Sequence, residues 1–345
     1  MDINRTRLTL TRRFPEALVT IDSHTAGEPT RLIVDGFGEV PGSTMADKRL
    51  HFMENLDHVR LLLTREPRGH RDMIAAALTG PVTDGASFGL IYMDARRYPY
   101  LCGHATIGAV TTLLETGAEN PAGPEMRVTV DTPSGPMDTI ARIREGRVES
   151  VAIQAVPSFV YGLDQPLDVP GLGRIEVDTV CVGGFFVMVP AHRTGLSLTP
   201  ENRGRLIDLG MTIIESADKQ LEVRHPTRPE VSTVDVVEFY EEDPALPHNG
   251  KSMVIYGERH MDRSPCGTGT AAKLTLLHHR GRIGIDRVYQ NTSPLGTVFE
   301  ARIVTETVVG DVQAVVVEIR GSAHITGFHS FFIDSNDPFP GGFLP

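Results

Sequence analysis

Two stretches decide the reading of this chain: CGHATIGAVTTLLETG, from Cys102 to Gly117, and CGTGTAAKLTLLHHRG, from Cys266 to Gly281. Set side by side without a gap, they agree at six of 16 positions: Cys102/Cys266, Gly103/Gly267, Thr106/Thr270, Thr111/Thr275, Leu113/Leu277 and Gly117/Gly281. Each opens with Cys-Gly and continues as an apolar-periodic run. Each closes on a glycine where the residue after a helix C-cap belongs. The pattern predicts two helices, each with a cysteine at its N-terminus. The two starts lie 164 residues apart in a chain of 345. That is close to half the length, so two related domains follow, each offering one cysteine-tipped helix.

Outward from these helices the chain is rich in short apolar runs set between glycines and prolines. Leu18 to Ile21, Arg31 to Val34, Met126 to Val130, Val151 to Ile153, Val187 to Val189, Val234 to Phe239, Met253 to Tyr256 and Val312 to Ile319 read as strands. Two further helices are expected, a short one over Arg71 to Leu78 and another over Pro200 to Leu209, capped by Thr199 or Glu201. Many strands and few helices, without a repeating βαβ order, indicate an α+β fold.

Composition narrows the function. Hydrophobic residues make up 40% and charged residues 22%, the balance of a globular protein. The net charge of -11 argues against a nucleic-acid partner. No stretch approaches the roughly 20 apolar residues of a membrane span. Met1 to Phe14 carries no secretory pattern, so a cytoplasmic protein without a membrane partner is expected. The three cysteines, Cys102, Cys181 and Cys266, include no CxxC pair, which points away from a disulfide framework, a zinc ribbon or a thioredoxin-type centre. Cys181 sits in a strand-like run and reads as core.

A helix N-terminus presents unpaired N–H groups and about half a positive charge. A cysteine there is expected to have its pKa lowered from about 8.5 toward neutrality. Backbone donors at the same place can hold a carboxylate, and Gly103 and Gly267 would let it approach the main chain. Two such cysteines acting from opposite sides could invert an amino-acid α-carbon. One thiolate removes the proton, the other thiol returns one to the far face, and N–H donors stabilise the enediolate between. No cofactor and no metal are needed.

At these residues the sequence resembles the proline racemase family. The resemblance rests on Asp22-Ser23-His24-Thr25-Ala26-Gly27-Glu28-Pro29, Glu66-Pro67-Arg68-Gly69-His70-Arg71-Asp72-Met73, Leu101-Cys102-Gly103-His104 and Asp262-Arg263-Ser264-Pro265-Cys266-Gly267-Thr268-Gly269-Thr270. It runs from near residue 18 to the C-terminus. It implies a fold similar to diaminopimelate epimerase: two pseudo-symmetric strand-rich domains, each a β-barrel-like sheet around a central helix, with the active site at the domain interface. The expected domains are residues 1–155 plus 326–345, carrying Cys102, and 156–325, carrying Cys266.

By the same resemblance Cys102 and Cys266 match the catalytic pair. Gly103, His104, Gly267 and Thr268 match residues that hold the substrate, and His104 and Asp262 match groups near its ring nitrogen. Ile74 and Tyr256 fall where the family lines the wall beside the ring. Proline racemases carry phenylalanine at both places, so plain proline is not the expected preference, and a tyrosine hydroxyl suits a ring hydroxyl. The dehydratase branch has threonine at the second cysteine, and Cys266 favours inversion. His104-Ala105 and the ending Asp337 to Leu344 do look like that branch. The order of expectation is therefore 4-hydroxyproline 2-epimerase, then proline racemase, then trans-3-hydroxy-L-proline dehydratase. The partner expected is a small imino acid, and a homodimer is the assembly considered.

Other classes fit less well. A zinc site from Cys102, His104, Cys266 and His24 lacks ligand spacing, and helix N-termini repel a cation. A cysteine hydrolase needs one nucleophile and leaves the repeat unexplained. A binding module needs no thiols. Arg68, Gly69, His70, Asp22 and His24 read as structural hydrogen-bonding residues, and His278-His279 as solvated residues at a helix C-terminus.

Overall fold

Alternating apolar residues make strands the commonest element of this chain, and the computed structural model describes residues 2–121, 123–242, 245–257 and 259–344. Its first part supplies α1 (Ile3–Arg13), β1 (Ala17–Thr25), β2 (Glu28–Asp35), α2 (Met45–Asn55), α3 (Asp57–Thr64), β3 (Ile74–Thr79), β4 (Phe88–Met93), α4 (Gly103–Glu115), β5 (Glu125–Thr132), β6 (Gly135–Arg144) and β7 (Arg147–Gln154). There follow β8 (Ser158–Val169), β9 (Gly173–Val182), β10 (Gly184–Pro190), α5 (Arg203–Gln220), β11 (Val234–Glu242), β12 (Asn249–Tyr256) and β13 (His260–Met261). The chain ends with α6 (Gly267–His279), β14 (Tyr289–Thr292), β15 (Val298–Val309), β16 (Val312–Gly321) and β17 (Ala323–Phe332).

Two units result. One takes the chain up to Thr25, Pro29–Val151 and everything from Ser322, and the other takes Ala26–Glu28 and Ala152–Gly321. Met1 and Pro345, the outer ends of the expected N-terminal domain, lie outside the described residues.

In the second unit eight strands close on themselves. β8 pairs with β9, β9 with β10, β10 with β11, β11 with β12, β12 with β14, β14 with β15 and β15 with β16. The bridge between Val315 and Ser158 then brings β16 back to β8. Closure removes the sheet edges. α6 packs against β8, β9, β10, β12, β15 and β16, and Gly269 to Leu277 are all buried. A helix covered on every side can be apolar all round. α5 covers the outer face of β11 and β12, burying Leu206, Ile213 and Ala217 with Val237, Phe239 and Ile255. Gly210 permits that approach, since a methyl there would lie 3.0 Å from Ile255 and 3.1 Å from Val237.

The first unit repeats the order. β1 pairs with β17 and β2, β2 runs parallel to β3, β3 antiparallel to β4, β4 parallel to β5 and β5 antiparallel to β6. The same alternation of parallel and antiparallel pairs runs from β9 to β15. α4 lies against β1, β3 and β17, with His104 to Leu114 buried. A second core joins Leu18, Ile33, Phe52, Leu63 and Ile91. Buried Arg31 binds Asp22 through two nitrogens (Nε–Oδ1 3.1 Å, Nη2–Oδ2 2.8 Å) and donates to the carbonyls of Leu63 and Arg68. It fixes the chain after α3 onto β2.

The helix expected over Arg71 to Leu78 is strand β3 instead. Its Ala-rich run is buried on both faces between β2 and β4, and that tertiary setting overrides the helix propensity of alanine. The helix expected from Pro200 begins as a 3₁₀ turn and continues as α5 to Gln220.

Candidate active site

In the first unit Cys102 is the N-cap of α4, in extended backbone (φ -147°) and half-buried. Its Sγ lies 3.5 Å from Nδ1 and 3.8 Å from Nε2 of His104. The Cys102 carbonyl accepts from the N–H of Thr106 (3.0 Å) and from its hydroxyl (2.9 Å), and the Tyr92 hydroxyl meets that hydroxyl at 2.6 Å. Burial pushes the Tyr92 phenol far up, so it stays protonated and buttresses the turn. Thr25 Oγ1 donates to the His104 carbonyl at 2.8 Å, tying β1 to the helix start. Ile74, the first residue of β3, is buried in this unit beside Thr30.

In the second unit Cys266 is the N-cap of α6 with φ at 61°, a region L-residues enter at a cost of about 1–3 kcal/mol. A polar framework holds it there. Asp262 Oδ1 accepts from the Ser264 N–H (2.8 Å) and hydroxyl (2.7 Å), and Ser264 Oγ accepts the Cys266 N–H at 3.0 Å. The Pro265 carbonyl accepts from Asn291 Nδ2 (3.1 Å) and Thr270 Oγ1 (3.2 Å). Cys266 Sγ accepts from the Gly269 N–H at 3.4 Å, and the Thr268 hydroxyl lies 3.5 Å away.

The Cys266 thiol is raised well above the usual range, by burial first and the charge of Asp262 second. The bonds from Thr268 and Gly269 pull the other way without prevailing. This corrects the expectation that the helix end would lower it. A helix terminus contributes at most about 2 kcal/mol to a charge, and removing a charged group from water costs more. Buried Cys181 is likewise pushed up to about 12, by desolvation.

Other expected residues lie in the same unit as Cys266. A methyl on Gly267 would meet nothing within 4 Å, so the main chain there is open to a ligand. Tyr256, at the end of β12, stacks on His260 with ring centroids 4.4 Å apart. His260 Nε2 bonds Glu28 Oε1 at 3.0 Å, and Glu28 Oε2 accepts the Arg263 N–H at 2.8 Å. Ser264, Asn291, His260 and Glu28 are contributions that residue-type reasoning passed over. Glu28 and Ser264 had a signal, both standing in segments that carry the resemblance, and Ser264 also lies two residues before a cysteine and two after an aspartate. Arg68 pairs with Asp337, and His278 with Glu306 and the Ile283 carbonyl. Among the described residues no three His, Cys, Asp or Glu are grouped to hold a metal, and no helix is long and apolar enough to cross a membrane.

The fold is similar to a solved hydroxyproline epimerase from Agrobacterium vitis with bound trans-4-hydroxy-L-proline: TM-score 0.86, 31% identity, 96% of each chain covered. The sequence is 40% identical over 332 residues to the proline racemase of Clostridioides difficile, covering 96% of this chain and 99% of that one. It is also 40% identical over 324 residues to a 4-hydroxyproline 2-epimerase of Streptosporangium roseum, covering 94% and 97%. A strand-rich α+β chain with these likenesses is an isomerase of the racemase and epimerase class. The proline racemase family profile matches residues 20–344, and the chain belongs to that family.

Proposed function

We propose that this protein inverts the α-carbon of a proline-type imino acid, with 4-hydroxyproline as substrate, by two-base chemistry on Cys102 and Cys266 and without a cofactor. The observation that carries the reading is that each of these cysteines is the N-cap of a buried helix. One thiolate takes the α-proton: its S–H bond forms as C–H breaks. The other thiol gives its proton to the opposite face, and the pair ends with its protonation exchanged. The amides after each cysteine, at Gly103, His104, Gly267 and Thr268, suit a carboxylate becoming an enediolate. Asp262 suits a secondary ammonium, and the raised Cys266 thiol suits the proton donor.

Ile74 and Tyr256 would line the ring wall. A phenol at Tyr256 in place of an apolar ring favours a hydroxylated substrate over proline, and hydroxyproline epimerases among the similar proteins support the choice. Cys266 in place of threonine favours inversion over dehydration. Proton NMR in heavy water on trans-4-hydroxy-L-proline, trans-3-hydroxy-L-proline and L-proline tests the proposal. Loss of the α-proton signal with growth of the 2-epimer, fastest for the 4-hydroxy substrate, is the expected result. Faster L-proline would make it a proline racemase, and pyrroline signals from the 3-hydroxy compound would make it a dehydratase.

A further inference from the structure

Inside the barrel β11 turns one carboxyl onto α6. Glu238 is fully buried, and neither of its oxygens has a hydrogen-bond partner among the described residues. The Ser252 hydroxyl, which accepts from Asn291 Nδ2 at 2.8 Å and lies 3.4 Å from the Pro265 carbonyl, is the donor beside it. A methyl built on Gly269 would lie 3.0 Å from Glu238 Oε2 and 3.3 Å from the Cys266 Cβ. Carboxyl and cysteine therefore flank one gap, next to the Gly269 amide that donates to the Cys266 sulphur. A buried carboxyl with so little to satisfy it is costly and is seldom kept for packing alone.

We propose that Glu238 is a positioning residue for Cys266, whose charge, when it appears, opposes thiolate formation at the tip of α6. The inference deepens the two-base reading, on which Cys266 is one of the proton-carrying pair. The groups around the two are few. Asp262 faces Cys266 from the preceding segment and Thr268 from the first turn of α6. Glu238 is faced by Lys273 of α6, Ser252 of β12 and Tyr289 of β14. Lys273, bonded to Glu242 and 3.3 Å above the Tyr240 ring, is itself lowered to about 8 by burial, so it titrates together with Glu238. Burial pushes the Glu238 carboxyl up to about 8, with Lys273 pulling it back. Near neutrality Glu238 is thus uncharged and leaves Cys266 to ionise on its own terms. Above pH 8 each loss of the Glu238 proton makes the thiolate harder to form, and the two titrate as a pair.

The test is iodoacetamide alkylation of the intact protein between pH 6.5 and 10, read at the Cys266 peptide by mass spectrometry. In wild type the rate should climb about tenfold per pH unit up to about pH 8 and then flatten over the next unit. In Glu238→Gln it should climb without flattening, equalling wild type at pH 7 and exceeding it roughly tenfold at pH 9. Glu238→Leu, apolar and of similar volume, should behave as Glu238→Gln and serves if the amide is not accommodated. A wild-type profile without the bend, or the same bend in both variants, overturns the inference. The readout uses no substrate. Loss of inversion in Cys266→Ser with an unbent alkylation profile would sink this inference and leave the two-base reading standing, and the reverse pair of results would do the opposite.

Discussion

At the start of α4, Cys102 lies in extended backbone, half-buried, with an imidazole beside its sulphur. At the start of α6, Cys266 is forced to positive φ, buried, and bonded by an amide of its own helix, with burial first and Asp262 second raising its thiol. Both are Cys-Gly helix starts, and the motif alone does not distinguish them. What differs is the shell: histidine and tyrosine around one, carboxyls and a serine framework around the other. The same helix-end dipole thus meets two surroundings, and at Cys266 desolvation outweighs it. For two-base chemistry the difference is useful, because one thiol must begin protonated.

The largest expected effect tests whether the tips are equivalent in necessity. Cys102→Ser and Cys266→Ser should each lower inversion by about 10³-fold or more, the range of a lost general acid or base. Each variant should still exchange the α-proton of one stereoisomer with heavy water, and the two should favour opposite isomers. Full inversion in either variant, followed by polarimetry, would break the pairing of the tips.

Next come the glycines of α6. Gly269→Ala places a methyl 2.8 Å from Val254 and 3.0 Å from the Glu238 carboxyl, an overpacking worth about 1–3 kcal/mol. Gly267→Ala, two residues earlier, meets nothing within 4 Å and should leave the melting temperature in place while weakening substrate binding. Equal melting temperatures for the two variants in differential scanning calorimetry would mean that Val254 and Glu238 do not close the space beside Gly269 as described.

Much of this contrast was hidden from residue-by-residue reading. The two cysteine-tipped helices were legible because Cys-Gly, the apolar period and the closing glycine are local signals. So were strands such as β5, β12 and β16. Closure of β8 to β16 was not, since it depends on one long-range bridge at Val315 and Ser158. Glu238 has no signal in the sequence beyond its place in the strand-like run Val234 to Phe239. Only because β11 carries α5 on one face and turns Glu238 toward Gly269 of α6 on the other is that residue buried. β3 was misread as a helix for the same reason, its environment lying far away in sequence. The thiol shift at Cys266 is again a matter of burial, which the motif does not encode.

A smaller effect separates the cysteines by exposure. At pH 7.5 iodoacetamide should label Cys102 about tenfold faster than Cys266, with fully buried Cys181 slowest, because alkylation needs both access and thiolate. Peptide mass spectrometry gives the order directly, and Cys266 reacting first would reverse the assignment of the protonated tip.

The last comparison is between wild type and Cys266→Ala in stability. The folded thiol keeps its proton to higher pH than the unfolded one, so the folded state binds more protons above about 8.5. Stability from this group is therefore flat below about pH 8.5 and falls as pH rises toward the folded value. The alanine variant has no such term. Whatever it loses in packing at pH 7, it should regain on wild type above pH 8.5, by up to about 1.4 kcal/mol per pH unit. Urea unfolding of both proteins at pH 7, 8.5 and 9.5 measures the difference, and every other titrating group not coupled to the thiol cancels between them. A gap that stays constant across the three pH values would mean that the α6 tip does not hold its thiol protonated, and the contrast with α4 would shrink to one of exposure.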